Sequence, residues 1–278
     1  MWRSGLVLTC LVCVLAPSGC SRERADAFLV LATTTSVGNS GLLDALAPAL
    51  ERDRQLQLRS HLVGSGRALR MLETAQADVA ISHAPDAEAA ALQAHPGWRY
   101  RKIMFNDFVI VGPAADPANA KGASSIRDAM KRIAATDVRF ISRGDQSGTH
   151  EREEALWRTA GARPPVERLI VAGAGMGATL RIASETGGYT LTDRATLAQL
   201  ADSVRLSVLY EGDTALLNTY SVIFDPAGPK AKDSQEFFEW IGGGAGRDAI
   251  ASYRIRGTPA FTPWPAERPA DDPRALPR

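Results

Sequence analysis

Residues 140–151 combine the residue types that bind a small anion. They run from an apolar, strand-like stretch through a glycine-containing turn into a helical pattern, which places Ser147, Gly148 and Thr149 at a helix N-terminus. The first N–H groups of a helix have no partner inside the helix, and the helix dipole places partial positive charge there. Arg143 adds a planar guanidinium that matches two oxygens of an oxyanion. The segment therefore predicts an anion site.

A second set of hydroxyl groups follows the first apolar segment, at residues 33–36. Hydroxyls at a strand end could bind anion oxygens together with backbone N–H groups, although Ser and Thr are also favoured there as turn and N-cap residues. Residues 64–66 have the same layout of strand, small turn and helix, and their glycines permit a close backbone approach. The hydroxyl-bearing candidates are Thr34, Thr35, Ser36 and Ser65.

Two arginines are the candidate charge partners of the anion. Arg143 and Arg194 each follow a predicted strand, and charge-assisted hydrogen bonds to an oxyanion are stronger than neutral ones. The alternative is a salt bridge inside the protein, with Asp145 or Asp193, which would use part of each charge. Both arginines are predicted anion-binding residues.

A glycine pattern at residues 173–178 points to a different ligand. It fits G-x-G-x-x-A between a strand and a helix, and Asp193 follows about twenty residues later, as in dinucleotide-binding proteins. The pattern lies in the middle of an exported chain, where a free dinucleotide is not expected. We therefore interpret it as close helix–strand packing or a ligand-facing loop, and predict no cofactor.

Two further patterns imitate catalytic sites. His150 and Glu154 could form half of a metal site, but no second histidine stands at metalloprotease spacing, so surface pairing is favoured and no metal cation site is predicted. Ser147, His150 and Asp145 are triad residue types, yet neighbours at one helix start cannot easily align as nucleophile, base and orienter. We predict that the protein is not an enzyme, and an exported hydrolase using Ser147 or His150 is the remote alternative.

Strand-like and helix-like segments alternate along the chain, which indicates β-α-β units. The predicted fold class is α/β with two lobes and mixed, mostly parallel sheets. Residues 27–112 and 216–257 form the first lobe, and residues 113–215 form the second. The chain then crosses between the lobes near Ile110 and near Leu217, which makes a hinge. Ligands of such folds bind in the cleft, faced by the loops at the carboxyl ends of the parallel strands.

Both ends of the chain are predicted to lie outside the fold. Residues 1–20 have a short basic start, an apolar stretch and a Gly–Cys pair, which predicts a signal peptide of the lipoprotein type with Cys20 lipidated. A plain secretory signal is the alternative. All three cysteines lie in this segment, so the remainder has no disulfide and no cysteine-ligated metal. Residues 258–278 carry six prolines and are predicted to be a Pro-rich disordered tail.

Composition narrows the class of protein. A chain of 278 residues with 45% hydrophobic and 23% charged residues has enough apolar material for a packed core. Its net charge of +1 gives no support for nucleic acid or for a charged membrane surface as partner. We expect a monomer in the periplasm of a bacterium, attached to the membrane only through the lipid anchor.

The order of the motifs resembles that of the tungstate-binding proteins of bacterial tungstate ABC importers, over about residues 28–255. The shared stretches are TTTS at 33–36, SGLLD at 40–44, GSG at 64–66, ADV at 77–79, HAP at 83–85, NDFVIVGP at 106–113, SRGDQSGTH at 142–150, LW at 156–157, GMG at 175–177, YTLTDR at 189–194 and EGD at 211–213. The resemblance implies a type II periplasmic binding protein that captures tungstate and passes it to a membrane permease.

Other anions and another partner remain open. A receptor for molybdate, sulfate or phosphate is the alternative within the same class, and a sensor subunit that presents the anion to a membrane kinase is another. Tungstate, molybdate and sulfate carry no proton near pH 7, so a site made of donors suits them, whereas monohydrogen phosphate needs an acceptor. Asp145 would supply that acceptor. If Arg143 holds Asp145, phosphate is disfavoured.

Overall fold

A computed structural model describes residues 28–277. The predicted signal peptide and the predicted lipidation site at Cys20 lie outside these residues. No helix in the described part of the chain is long and apolar enough to cross a membrane.

Strands and helices alternate over most of the described chain. The strands are β1 (Phe28–Thr34), β2 (Gln57–Val63), β3 (Val79–Ser82), β4 (Arg99–Gly112), β5 (Phe140–Ser142), β6 (Leu169–Val171), β7 (Thr190–Asp193), β8 (Ser207–Tyr210), β9 (Leu217–Phe224), β10 (Arg254–Ile255), β11 (Thr258–Pro259) and β12 (Thr262–Pro263). The helices are α1 (Thr35–Asn39), α2 (Leu42–Arg54), α3 (Ser65–Glu73), α4 (Pro85–Ala94), α5 (Ile126–Ala135), α6 (Gly148–Ala160), α7 (Met176–Thr186), α8 (Arg194–Gln199), α9 (Ala231–Gly242) and α10 (Gly244–Ser252), with short 3-10 turns at Ala120–Gly122, Val166–Arg168 and Thr214–Leu216.

The long strand β4 connects two sheets. In the first sheet β1 pairs in parallel with β2 and β3, and β9 lies antiparallel between β3 and β4. The pairing of β4 with β9 covers residues 99–107, and from Phe108 onward β4 pairs with β7 and β8 instead. Strands β5 and β6 form a separate parallel pair. The predicted α/β fold with mixed sheets is confirmed.

Each sheet has its own hydrophobic core. The first core includes Leu46, Phe237 and Trp240, and the second is built around Trp157, which packs edge-on against Phe140 with ring centroids 4.9 Å apart. Full burial of one such side chain contributes about 1.5–3 kcal/mol, so each lobe has packing of its own. Strands β4 and β9 both run between the two cores, an arrangement that suits a hinge.

The boundary between the cores differs in detail from the predicted lobe ranges. Phe108, Ile110 and Leu216 fall inside the ranges of the first lobe but pack in the second core. The reason is that β4 changes partners after Asp107, before the predicted boundary between residues 112 and 113. The remaining lobe assignments stay predictions.

The prediction of a disordered tail is wrong for the described part of residues 258–277. Strand β11 pairs with β10, and β12 pairs antiparallel with β4. Phe261 and Trp264 are buried, and the Trp264 N–H donates to the carbonyl oxygen of Ile103 at 2.9 Å. Proline excludes a central strand but is compatible with an edge strand, and the two aromatic side chains supply the apolar burial that orders the segment.

Candidate functional site

The two lobes lie against each other at the strand ends that carry the candidate residues. A methyl group built on Gly148, at the start of α6, would lie 2.6 Å from the carbonyl oxygen of His83 in the first lobe. One built on Gly175, at the start of α7, would lie 3.6 Å from Thr35 Oγ1. Glycines at these positions permit the backbone of one lobe to approach the other closely. The cleft is therefore closed, with the glycine-containing motif at 173–178 acting as a cleft-facing loop.

Arg143 is the central cation of the site. Its side chain is 1% exposed, and its Nη2 donates to the carboxylate of Asp145. The Nε and Nη1 atoms have no hydrogen-bond partner within the described chain. Leaving buried donors unpaired is costly, so a guanidinium with two unused nitrogens fits an additional acceptor. The predicted pairing with Asp145 is present, and it uses only part of the charge.

The N-terminus of α6 adds further donors beside Arg143. Ser147 is the N-cap residue, and its Oγ accepts the backbone N–H of His150 at 3.3 Å. Thr149 is fully buried, and its Oγ1 has no partner in the part of the chain described. The cap is followed by an acidic residue, Glu151, in the first turn, whose negative charge interacts favourably with the helix dipole. The structure thus brings Arg143, Ser147 and Thr149 together.

The β1–α1 junction supplies a matching set from the first lobe. Thr34 is the N-cap of α1, with Oγ1 3.4 Å from the N–H of Val37, while Ser36 is buried and Thr35 is half-buried. Thr33, at the end of β1, is fully buried with Oγ1 unpaired among residues 28–277. Thr33 belongs to the hydroxyl run seen in the sequence but was not among the candidate residues.

Ser65 lies at the first position of α3 and is fully buried. Its Oγ accepts the backbone N–H of His83 at 3.3 Å, so the hydroxyl hydrogen remains available to a ligand. The neighbouring Gly64 packs against the second lobe, since a methyl group built there would lie 3.5 Å from Ser147 Cα. These contacts place Ser65 next to the α6 terminus.

Arg194 does not join this group. It is the first residue of α8, its side chain is 38% exposed, and its Nη2 donates to Glu211. Asp193, the N-cap of α8, is instead fully buried. Asp193 Oδ1 accepts the N–H of Thr196 at 2.8 Å, whereas its Oδ2 and Thr196 Oγ1 have no partner in the described structure. Burial raises the pKa of Asp193, an effect that hydrogen bonding from Thr196 and, after it, the positive charge of Arg143 oppose.

His83 is a cleft residue that sequence reasoning did not propose as part of the site. Its ring stacks on Tyr220 with centroids 5.0 Å apart, and its Nδ1 lies 2.8 Å from Asn218 Oδ1. Burial lowers the pKa of His83 to about 4, so the imidazole is neutral near pH 7. Its Nε2 has no partner among the residues described and lies next to Gly148. The signal that could have found it is its position directly after β3, at a strand end that faces the cleft.

A second buried carboxyl lies behind the anion site. Glu153, on α6, is 1% exposed, and its Oε2 accepts the backbone N–H of Arg143 at 3.2 Å. Burial raises the pKa of Glu153 to about 7, an effect that a hydrogen bond from Ser142 opposes. This carboxyl therefore titrates near neutral pH while supporting the segment that carries Arg143.

The geometry does not form the catalytic or metal sites that the sequence patterns imitate. The Ser147 hydroxyl accepts from the backbone of His150, while the His150 ring accepts from the Gln146 N–H at 3.2 Å and lies 3.5 Å from Glu154. The imidazole is thus engaged away from the Ser147 hydroxyl, and His150 and Glu154 form the predicted surface pair. Within residues 28–277 there is no group of three or more His, Cys, Asp and Glu side chains that could hold a metal ion.

Comparison with known proteins identifies the family. A PBP superfamily domain matches residues 18–242. The tungstate-binding protein TupA of Peptoclostridium acidaminophilum is 36% identical to this chain, over 93% of this chain and 96% of that protein. The chain belongs to the TupA family. TupA of Campylobacter jejuni subsp. jejuni serotype O:2 is 35% identical over 81% of this chain and 87% of the relative.

Solved structures of TupA family members have the same fold. TupA from Desulfovibrio alaskensis G20 is 40% identical, covers 85% of this chain and 98% of its own, and superimposes with a TM-score of 0.72. The tungstate ABC transporter protein from Geobacter sulfurreducens is 35% identical, with 81% and 98% coverage and a TM-score of 0.74. The TupA relatives are named as tungstate-binding proteins. The resemblance drawn from the sequence motifs is confirmed.

Proposed function

We propose that this protein binds a tetrahedral oxyanion, tungstate first, in the closed cleft and delivers it to the permease of an ABC importer. The observation that carries the proposal is a concentration of buried donors without partners in the described chain, drawn from both lobes. These atoms are Arg143 Nε and Nη1, Thr33 Oγ1, Thr149 Oγ1 and Thr196 Oγ1. Native proteins seldom leave buried polar groups unpaired, so a ligand that supplies acceptors accounts for them together.

The chemistry of the donors fits a fully ionised dianion. Such an anion offers only acceptor oxygens, and the guanidinium of Arg143 with the α6 terminus supplies positive charge and N–H groups. Asp145 does not provide the acceptor that hydrogen phosphate would need, because its carboxylate is held by Arg143 and by the Ser147 N–H at 3.2 Å. The pairing of Arg143 with Asp145, which disfavours phosphate, is thus present.

The candidate residues divide into direct and supporting roles under this proposal. Arg143, Thr149 and Ser65 face the anion with side-chain donors, and Gly148 allows the lobes to close. Thr34 and Ser147 act mainly as helix caps, which orient the backbone N–H groups of α1 and α6, with Thr35 and Ser36 in the first turn of α1. For Arg194 we propose no anion contact in the closed arrangement, since its guanidinium pairs with Glu211.

Thermal unfolding with tungstate, molybdate, sulfate and phosphate in turn tests the proposal. A ligand at 1,000 times its Kd stabilises the folded state by about 4 kcal/mol, which gives a clear rise in Tm. We expect a large rise with micromolar tungstate and a small one with sulfate or phosphate. An unchanged Tm with all four anions would contradict the proposal, and a larger rise with phosphate would favour the alternative receptor.

The lipid anchor is a separate proposal. We propose that the protein resides in the periplasm as a monomer, attached to a membrane through lipid on Cys20. Fractionation of cells that express the protein with Cys20→Ser tests this, because the variant should move from the membrane fraction to the soluble fraction. Equal distribution of the variant and the unaltered protein would contradict the anchor without touching the binding proposal.

A further inference from the structure

Asp193 is an unexpected group in a site for an anion. It is fully buried at the end of β7, and its Oδ1 accepts a hydrogen bond from the backbone N–H of Thr196 at 2.8 Å. Its Oδ2 has no partner in the described structure. An ionised carboxylate with a bare oxygen would repel a bound dianion, and like charges in one site disfavour the ionised form of one of them. The protonation state of Asp193 therefore bears on anion binding.

The groups around Asp193 come from several elements. Arg143 is the cation whose charge acts on it, but the ion pair of Arg143 in the described chain is with Asp145. Burial and the charge of Asp193 raise the pKa of Tyr220, on β9. Phe108, on β4, is the cross-strand neighbour of Asp193. The guanidinium of the adjacent Arg194 is directed to Glu211. Arg143 and Asp193 thus interact without bonding directly, and each keeps unused polar atoms.

A protonated Asp193 resolves the conflict with the dianion. The Oδ2–H would be a donor like the neighbouring threonine hydroxyls, and burial already favours the uncharged carboxyl, as the raised pKa of Asp193 indicates. A second negative charge brought by the anion favours the uncharged form further. With Asp193 neutral, all the unused groups from Arg143, Thr33, Thr149 and Asp193 offer hydrogens to the ligand.

We propose that Asp193 carries a proton when the anion is bound and donates its Oδ2–H to an oxygen of that anion. The inference rests on the proposed function, because it assumes that tungstate occupies the cleft. The proton stays on the carboxyl and forms a hydrogen bond, so no covalent bond forms or breaks. Where free Asp193 is ionised, each anion binds together with one proton taken from solution, and affinity then falls by about tenfold per pH unit.

Infrared difference spectra between the tungstate-bound full protein and tungstate-bound Asp193→Asn, both at pH 8.5, test the protonation directly. We expect the tungstate-bound protein to show the C=O band of an uncharged carboxylic acid, and Asp193→Asn to lack it. Glu153→Gln is the matched control, since it removes the other buried carboxyl near Arg143 and should keep the band. No such band in the bound unaltered protein, or a band that persists in Asp193→Asn, would overturn the proposal.

Tungstate titration calorimetry on the same variants gives a second readout. Asn caps a helix as well as Asp, and its Nδ2–H replaces the proposed Oδ2–H, so Asp193→Asn should fold and bind tungstate within about tenfold of the unaltered protein. Asp193→Ala should bind more weakly than Asp193→Asn. If Asp193 is instead ionised in the complex, Asp193→Asn should bind more than tenfold tighter, which would overturn the inference. Binding without the carboxyl band refutes this inference alone, whereas no binding of tungstate refutes the proposed function.

Discussion

In the β5–α6 segment the arginine precedes the helix N-cap, whereas at the β7–α8 junction it follows the N-cap. Arg143 comes before the cap residue Ser147 and is buried, while Arg194 is the first helical residue after the cap residue Asp193 and is largely at the surface. In the first segment the buried charge is a cation. At the second junction the buried group is a carboxyl.

The difference follows from what a helix N-cap does. The cap side chain turns back toward the first N–H groups, so it is fixed at the strand end, next to the cleft. The residue after it starts the helix and points its side chain away from those N–H groups. The two strand–helix junctions therefore present opposite chemistry to the same cleft. The position of an arginine relative to the cap decides whether it can reach a ligand.

The largest expected effect comes from removing the buried cation. Arg143→Ala should weaken tungstate binding by about two to four orders of magnitude, since two charge-assisted hydrogen bonds of about 1.5–3 kcal/mol each are lost. Titration calorimetry measures the change, and circular dichroism confirms that the variant is folded. An affinity within threefold of the unaltered protein would contradict this prediction, because it would make Arg143 no more important for binding than Arg194.

The carboxyl behind Arg143 predicts a pH effect on stability. The pKa of Glu153 is raised from 4.5 to about 7 in the folded protein, so the unfolded state loses its proton first as pH rises. The free energy of unfolding should therefore fall between about pH 5 and pH 8, by up to about 3 kcal/mol from this group. Glu153→Gln should remove that part of the fall. Urea unfolding of both proteins at several pH values checks it, and parallel curves would contradict the prediction.

The closed approach of α6 to the first lobe predicts a steric effect. Gly148→Ala should weaken tungstate binding by about ten- to a hundredfold, because the methyl group would meet His83 at 2.6 Å and such conflicts cost about 1–3 kcal/mol. Gly175→Ala is the matched control, since its methyl group would make an ordinary contact 3.6 Å from Thr35. Similar affinities for the two variants would show that closure at Gly148 does not limit binding.

The smallest effect should come from the surface arginine. Arg194→Ala removes an exposed pair with Glu211, and such pairs contribute about 0–1 kcal/mol to stability. Tungstate affinity should stay within about threefold. A loss as large as that of Arg143→Ala would mean that Arg194 leaves Glu211 and reaches the anion, which would remove the contrast between the two junctions.

Much of the fold could be predicted because the periodicity is local. Residues 126–135 have the apolar spacing of a helix in the sequence and form α5, and the apolar residues 28–32 lie within β1. Helices α1 and α4 were missed. The first is a short helix in a hydroxyl-rich stretch that reads as a turn, and α4 is rich in alanine with a single buried residue, Glu88, so it shows no apolar stripe. Patterns that rest on apolar spacing cannot detect such helices.

The sequence predicts which loops form the site better than it predicts which side chains of those loops are buried. The loop with Arg143, Ser147 and Thr149 was found because its helix start is visible in the sequence. His83 was not proposed as a site residue, and Asp193 was considered only as a salt-bridge partner of an arginine, since a strand end does not tell which side chain of a junction is buried. The Pro-rich tail was misjudged for the same kind of reason, because the sequence does not show that β4 leaves an edge for β12.

A crystal structure of the protein with tungstate tests the central claim most directly, since the anomalous signal of tungsten locates the anion. We expect a single strong peak between the lobes, with the anion's oxygens within hydrogen-bonding range of Arg143 Nε and Nη1 and of the hydroxyls of Thr33 and Thr149. A peak beside Arg194 and Glu211, or no ordered peak in the cleft under saturating tungstate, would contradict it.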